Sequence, residues 1–174
     1  TPKLTVVPEY TPVNYPINKT ESVSLLIWDT SGRENFKSEA FFLYKKAHCF
    51  FVVYDIANRE SFKNLHKWFQ DVEDQSKKGT LIILIGNKCD KEEERQVSYE
   101  EGRSLAKEKE MIFFEVSAKT SESVQYTLAM AVKELYERKK EDGLRIKNGV
   151  ESGGTRSSPF YGKESKNYSI CSIF

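Results

Sequence analysis

Residues 81–90, Leu-Ile-Ile-Leu-Ile-Gly-Asn-Lys-Cys-Asp, join a short continuous apolar run to a polar loop. An uninterrupted run of this kind reads as a strand buried on both faces, the pattern of parallel sheets rather than of half-solvated antiparallel ones. Two more such runs flank it, Cys49 to Asp55 and Ile112 to Val116. Helical spacing fills the intervals. Asn58 can cap a helix carrying Phe62, Leu65, Phe69 and Val72 on one face, and Gly79-Thr80 ends it. Ser98-Tyr99-Glu100-Glu101 fits a capping box that opens another helix, and a last helix is expected from about 121 to 141, with Val124, Leu128, Val132 and Leu135 aligned. Strands alternating with helices specify an α/β domain with a mostly parallel sheet.

Upstream, residues 5–29 read as two extended segments joined by the polar turn Asn18-Lys19-Thr20-Glu21-Ser22, an antiparallel hairpin ending in Trp28-Asp29. Residues 34–48 read as an irregular helix. From about Asp142 onward Gly, Ser, Lys and Asn dominate, and residues 142–174 read as a flexible tail appended to a domain spanning 1–141.

The composition is that of a globular domain. The chain has 174 residues, is 39% hydrophobic and 30% charged, and carries a net charge of +1, so bulk charge points to neither nucleic acid nor a strongly anionic partner. Its longest apolar runs fall far short of the about 20 residues that span a bilayer. The three cysteines, Cys49, Cys89 and Cys171, are widely spaced and fit neither a disulfide framework nor a zinc site.

In parallel sheets, ligands bind beyond the carboxyl ends of the strands. Three distinctive stretches fall there: residues 28–34, 86–90 and 115–119. A carboxylate accepts two hydrogen bonds side by side. Guanine presents N1–H and its exocyclic amine in that arrangement and adenine does not. Asp90 suits that edge, Asn87 suits tying loops together, and the Lys88 stem suits packing on a ring face. Ser117-Ala118-Lys119 stands at the end of the neighbouring strand.

Five segments together resemble the Ras superfamily of small GTPases, and within it a Rab: Trp28-Asp29-Thr30-Ser31-Gly32, Tyr44-Lys45-Lys46-Ala47-His48, Val53-Tyr54-Asp55-Ile56, Asn87-Lys88-Cys89-Asp90 and Glu115-Val116-Ser117-Ala118-Lys119. The resemblance covers roughly residues 4–140. It implies a three-layer P-loop NTPase-like G domain, mostly parallel with one antiparallel hairpin, that binds GTP or GDP with Mg²⁺. Asn87, Lys88 and Asp90 would hold guanine, and the backbone of Ser117, Ala118 and Lys119 would complete the pocket. Asp29 would organise Mg²⁺ through water, Thr5 would ligate it from the first switch, and the Gly32 N–H would meet the γ-phosphate. Effectors, an exchange factor and a GTPase-activating protein would read the switch segments.

Several features depart from the family. Val7-Pro8 replaces a glycine-containing pattern beside Thr5, and Pro8 removes a backbone donor. Arg33 stands where the family has its catalytic glutamine. Glutamine orients the attacking water through both an acceptor and a donor, and arginine has donors only, so hydrolysis is expected to be slow. Arg33 reads otherwise as a solvated loop residue or as a group that meets transition-state charge. The phosphate cradle Gly-x-x-x-x-Gly-Lys-Ser/Thr is absent from the nine glycines; the nearest match, Gly149 to Arg156, has Thr155 where lysine is required. Thr1 is not Met, and the family's strand–cradle–helix unit precedes the first switch. The expectation is therefore a fragment whose N-terminal unit is missing, with the hairpin and the Cys49–Asp55 strand deprived of a shared neighbour, their edges exposed, and neither stable folding nor tight GTP binding by these residues alone.

The sequence closes on Cys171-Ser172-Ile173-Phe174, a C-a-a-X pattern whose terminal Phe favours geranylgeranylation of Cys171. Arg138-Lys139-Lys140 would either assist at an anionic membrane or complement a helix dipole. Two functions follow as expectations. One is a prenylated Rab-like switch acting in vesicle traffic on the cytosolic face of endomembranes or the plasma membrane and cycling with the cytosol. The other is a protein-interaction module that keeps the guanine-type loops as remnants of the fold.

Overall fold

The computed structural model describes residues 9–30, 43–149 and 167–173. Its six strands are β1 (Glu9–Pro16), β2 (Ser22–Asp29), β3 (Cys49–Asp55), β4 (Leu81–Asn87), β5 (Ile112–Val116) and β6 (Asn167–Ile173). The helices are α1 (Arg59–Lys63), α2 (Leu65–Gln75), α3 (Tyr99–Glu108) and α4 (Val124–Gly149), with a 3₁₀ turn over Cys89–Glu94. The strands form one sheet in the order β1-β2-β6-β3-β4-β5. Only β1 and β2 are antiparallel; every other neighbouring pair is parallel. The expected α/β class and its single antiparallel hairpin are borne out.

Local chemistry accounts for most boundaries. In the hairpin turn, Asn18 Oδ1 accepts from the Thr20 and Glu21 amides, both at 2.9 Å, so one side chain satisfies two donors that the turn leaves open. Asn58 caps α1 by accepting from the Glu60 and Ser61 amides. Ser98 and Glu101 form the reciprocal capping box at the start of α3. Arg59 grips the same Glu101 through both guanidinium nitrogens, at 2.6 and 3.2 Å, and these bonds with the Ser98 cap pull the Glu101 carboxyl down to about 2.

Two apolar layers hold helices to the sheet. On one face Phe50, Val52, Tyr54 and Leu84 pack with Leu65, Phe69 and Val72 of α2 and Ala106 of α3. On the other, Leu25, Cys49, Ile83 and Ile85 pack with Ala131, Val132 and Leu135 of α4. Gly102 lets α3 sit directly on the sheet, because a Cβ there would lie 2.6 Å from Phe113 Cζ and would also strike the Tyr54 hydroxyl.

The region beyond 142 differs from the sequence expectation. Helix α4 continues to Gly149, and Asn167–Ile173 forms a strand. That strand, β6, lies between β2 and β3, pairing Ser24–Asp29 on one side and Cys49–Val52 on the other. The position expected to stand empty is therefore filled from the end of the sequence, and the facing edges of β2 and β3 are paired instead of exposed. The physical reason is alternation: Tyr168 and Ile170 enter the α4-side layer and Cys171 the opposite one. Residues 150–166 lie outside the described residues, as do 1–8 and 31–42, which hold most of the irregular helix expected over 34–48.

Candidate functional site

The carboxyl ends of β3, β4 and β5 lie side by side, with Asp55 opposite Asn87 and Asn87 opposite Val116. Each strand runs straight into a loop carrying a polar side chain, and hydrogen bonds tie the loops together. Asn87 Oδ1 accepts from the Lys88 amide at 2.7 Å and from the Ala118 amide at 3.1 Å. One carbonyl thus bridges the β4 and β5 loops. Lys88 takes a left-handed backbone, φ 67° and ψ 37°, which is unfavourable for a residue with a side chain and is held here by that bridge. Its ammonium pairs with Asp55 Oδ2 at 2.5 Å, while Asp55 Oδ1 accepts from the Ala57 amide at 2.8 Å.

Asp90 follows at once. Its Oδ1 accepts from the Ser117 hydroxyl at 2.5 Å, and its Oδ2 is met only at 3.9 Å by the Lys119 ammonium. The Ser117 bond, ahead of the charges on Lys119 and Lys91, holds the Asp90 carboxyl below its ordinary range. Asp90 is therefore ionised at neutral pH and acts purely as an acceptor. Ser117 is fully buried and doubly held: its amide donates to the Glu122 carbonyl at 3.1 Å, and its hydroxyl oxygen accepts from the Thr120 amide at 3.1 Å. Lys119 is the opposite case, its side chain 83% exposed. The result is a positioned carboxylate with one oxygen engaged by a buried hydroxyl and the other facing the exposed Lys119 ammonium. Such a group can take two adjacent N–H donors from a planar ligand.

Asp29 ends β2 at the same sheet edge. Through Ser172 and Phe51 it stands level with Ile83, so it lies three strands across and four residues along from Asn87, about 19 Å at about 4.8 Å per strand and about 3.3 Å per residue, a separation that an extended ligand would bridge. Thr5, Gly32 and Arg33 lie outside the described residues, so only Asp29 of the expected metal and phosphate set is placed. Sequence reasoning missed the part played by Asp55, which anchors Lys88; the available signal was a carboxylate closing an apolar strand. It also missed Arg95, whose guanidinium bridges Glu115 of β5, at 2.8 Å through each outer nitrogen, and Glu92 of the 3₁₀ turn, stiffening the β4 loop from behind. A cavity of about 740 Å³ lies away from these loops, between α1, α2 and α3, with Phe62, Phe69 and Leu105 in its lining.

The sequence profile of the Ras family matches residues 3–137. The chain belongs to the Ras family. Ras-family small GTPases are GTP-binding switches, and the six-stranded, mostly parallel sheet found here is consistent with their G domain. The match takes in the hairpin, the Asp90 and Ser117 loops and the first half of α4. Strand β6 lies beyond it. The arrangement fits the N–H edge of a guanine base: Asp90 is an ionised acceptor positioned by Ser117, and Asn87 ties the two loops together. Among the described residues no group of three or more His, Cys, Asp or Glu is placed to hold a metal ion. No described helix is long and apolar enough to cross a membrane.

Proposed function

We propose that the protein is a Rab-type GTP-binding switch in vesicle and membrane traffic. The observation that carries the guanine part of this reading is the Asp90 carboxylate, held below its usual range by Ser117 and linked through Asn87 to the neighbouring loop. Asn87, Lys88 and Asp90 would seat the base, with the backbone of Ser117 to Lys119 closing one side. Asp29 and Thr5 would serve Mg²⁺, and the Gly32 amide would meet the terminal phosphate. Arg33 would leave the attacking water poorly oriented, so GTP would be hydrolysed slowly and the loaded state would persist for effectors. Cys171 would accept an isoprenoid and take the protein to the cytosolic face of endomembranes or the plasma membrane. The Rab assignment rests on the quoted segments, Tyr44 to His48 above all.

The test is equilibrium binding of fluorescent GDP, GTP and ATP with Mg²⁺. Guanine nucleotides should bind and ATP should not. Asp90→Ala should weaken guanine nucleotides by about 10²-fold, the loss of two charge-assisted hydrogen bonds at about 1.5 kcal/mol each.

A second reading is favoured by one observation. Strand β6 occupies the sheet position that the family resemblance gives to the strand preceding the phosphate cradle. The chain would then work by protein contact without nucleotide. Binding of neither GDP nor GTP at millimolar concentration would establish that reading and overturn the first.

A further inference from the structure

Strand β6 differs from the other internal strands in how it is held. Among the described elements it is the last in sequence, and β1 to β5 precede it in order. It pairs β3 only over Cys49–Val52, whereas β4 pairs β3 along its whole length, Cys49–Asp55. It is also less continuously apolar than β4, although both are covered on both faces. Tyr168, Ile170 and Cys171 are buried, but Ser169 between them is polar and half-buried. Strand β4, by contrast, begins with Leu81-Ile82-Ile83-Leu84-Ile85.

What β6 has instead is a polar clamp at its middle. The His48 amide donates to the Ser169 carbonyl at 2.8 Å, and the Ser169 amide donates back to His48 Nδ1 at 3.0 Å. The His48 ring stands edge-on to Tyr168, with centroids 5.6 Å apart, and Lys139 of α4 lies over the other ring at 5.6 Å. Two residues after the clamped Ser169 comes Cys171, opposite Trp28 on β2 and Phe50 on β3, and 0% exposed.

We propose that β6 is a releasable strand: docked between β2 and β3 and clamped at His48, it keeps the Cys171 thiol out of solvent, and its release makes that thiol available for modification. The biological sense of this gate rests on the reading of Cys171 as a lipid acceptor; the gate itself rests on the strand's packing. Docking withholds the thiol twice. An electrophile cannot reach the sulfur, and burial raises the thiol to about 12, so the attacking thiolate is scarce. On release the sulfur returns to water and loses its proton to the buffer. The thiolate then forms an S–C bond to the electrophilic carbon while the leaving group departs with the bonding pair, as iodide from iodoacetamide or as diphosphate from a prenyl diphosphate.

The experiment is alkylation of the full chain with iodoacetamide, read residue by residue by mass spectrometry, with amide exchange followed in parallel. Cys171 in the folded chain should react at least about tenfold more slowly than in the urea-unfolded chain, and the β6 amides should open before those of β4 and β5, as local release requires. His48→Ala and Ile170→Asp should each speed Cys171 alkylation while Leu81–Asn87 and Ile112–Val116 stay protected. An excess of the peptide Asn167–Ile173 carrying Cys171→Ala should do the same to the parent chain by competing for the slot, and this arm holds even if Ile170→Asp does not fold. The proposal is overturned by folded-chain alkylation at the unfolded rate, by acceleration only in step with loss of β4 and β5 protection, or by no effect of the peptide. Prenyl transfer from geranylgeranyl diphosphate is assayed on the same proteins. If alkylation is gated but the released variants take no lipid, the lipid reading falls and the gate stands.

Discussion

Asp90 and His48 each do chemistry that depends on a single proton, and they titrate in opposite settings. For Asp90 the acceptor character is what matters. Replacing it by asparagine keeps the shape but turns one acceptor into a donor. Guanine's amine then faces an amide N–H, whereas xanthine, with a carbonyl at that position, finds a donor. Asp90→Asn should therefore lower GDP affinity by about 10²-fold and raise that for xanthosine diphosphate, measured by competition against one fluorescent probe. For His48, the bond from Ser169 requires Nδ1 without its proton. Burial, then the charges of Lys77 and Lys139, lower its affinity for a proton in the docked state. The sign follows. Above its ordinary value of 6.5, His48 is neutral whether β6 is docked or released. As pH falls through 6.5 the released form takes the proton first, so docking loses stability and continues to do so until the docked form titrates as well. Cys171 alkylation, corrected for the intrinsic loss of thiolate with a model thiol, should speed up below about pH 6.5 in the parent and show no such rise in His48→Ala. The two residues also differ in legibility. Asp90 and Asn87 stand out in the sequence because a polar Asn-Lys-Cys-Asp run directly follows an apolar strand, and the structure shows both tied to the neighbouring loop. Asp55 and His48 do not, because their roles arise from the register of β3 against β4 and β6.

At the scale of elements, the legible parts are those in which local chemistry and burial agree. Strands β3 and β5 and the caps at Asn58 and Ser98 fall where apolar runs and capping patterns place them. Strand β6 is not legible in the sequence, because its apolar residues are interrupted by Ser169 and Ser172 and follow a Gly, Ser and Lys-rich stretch, where composition outweighs the short Tyr168, Ile170 alternation. Helix α4 runs past the expected end at about 141 to Gly149, through a stretch whose Gly, Lys and Asn content masks the helix. Helix α3 gives a direct check on how closely the layers pack. Its Gly102 faces the Tyr54 hydroxyl and Phe113, leaving no room for a methyl group. In an ordinary helix interior Gly→Ala stabilises by about 1 kcal/mol. Here the clash reverses the sign, and Gly102→Ala should destabilise by about 1–3 kcal/mol, as overpacking does. A urea midpoint unchanged or raised in Gly102→Ala would show that α3 stands further from the sheet. Ser98→Ala, which removes the cap at the start of the same helix, should cost about 1 kcal/mol in the same assay.

At the scale of the whole molecule, the sheet order makes β6 the backbone link between two halves. The hairpin β1–β2 pairs with nothing else in the sheet except β6, and β3, β4 and β5 pair among themselves without it. Side chains give the hairpin a second attachment through Val23 and Leu25 in the α4-side layer and through the Tyr136 hydroxyl, which donates to Glu21 Oε2 at 3.0 Å. A two-stranded hairpin is marginal by itself in water, and side-chain contacts with α4 do not replace a ladder. The chain shortened to residues 1–149 should therefore lose its stability unevenly. Ser22–Asp29 amides should exchange fast, while Leu81–Asn87, central in the remaining three-stranded sheet, should keep most of their protection. The bare edges of β2 and β3 should also make the shortened chain associate at rising concentration, since unpaired strand edges template pairing with other chains. Both effects should be relieved by adding the Asn167–Ile173 peptide, which restores the missing ladder without restoring the covalent link. Uniform loss of protection across β2 and β4 would show instead that the sheet is one cooperative unit, in which β6 cannot leave without unfolding the rest.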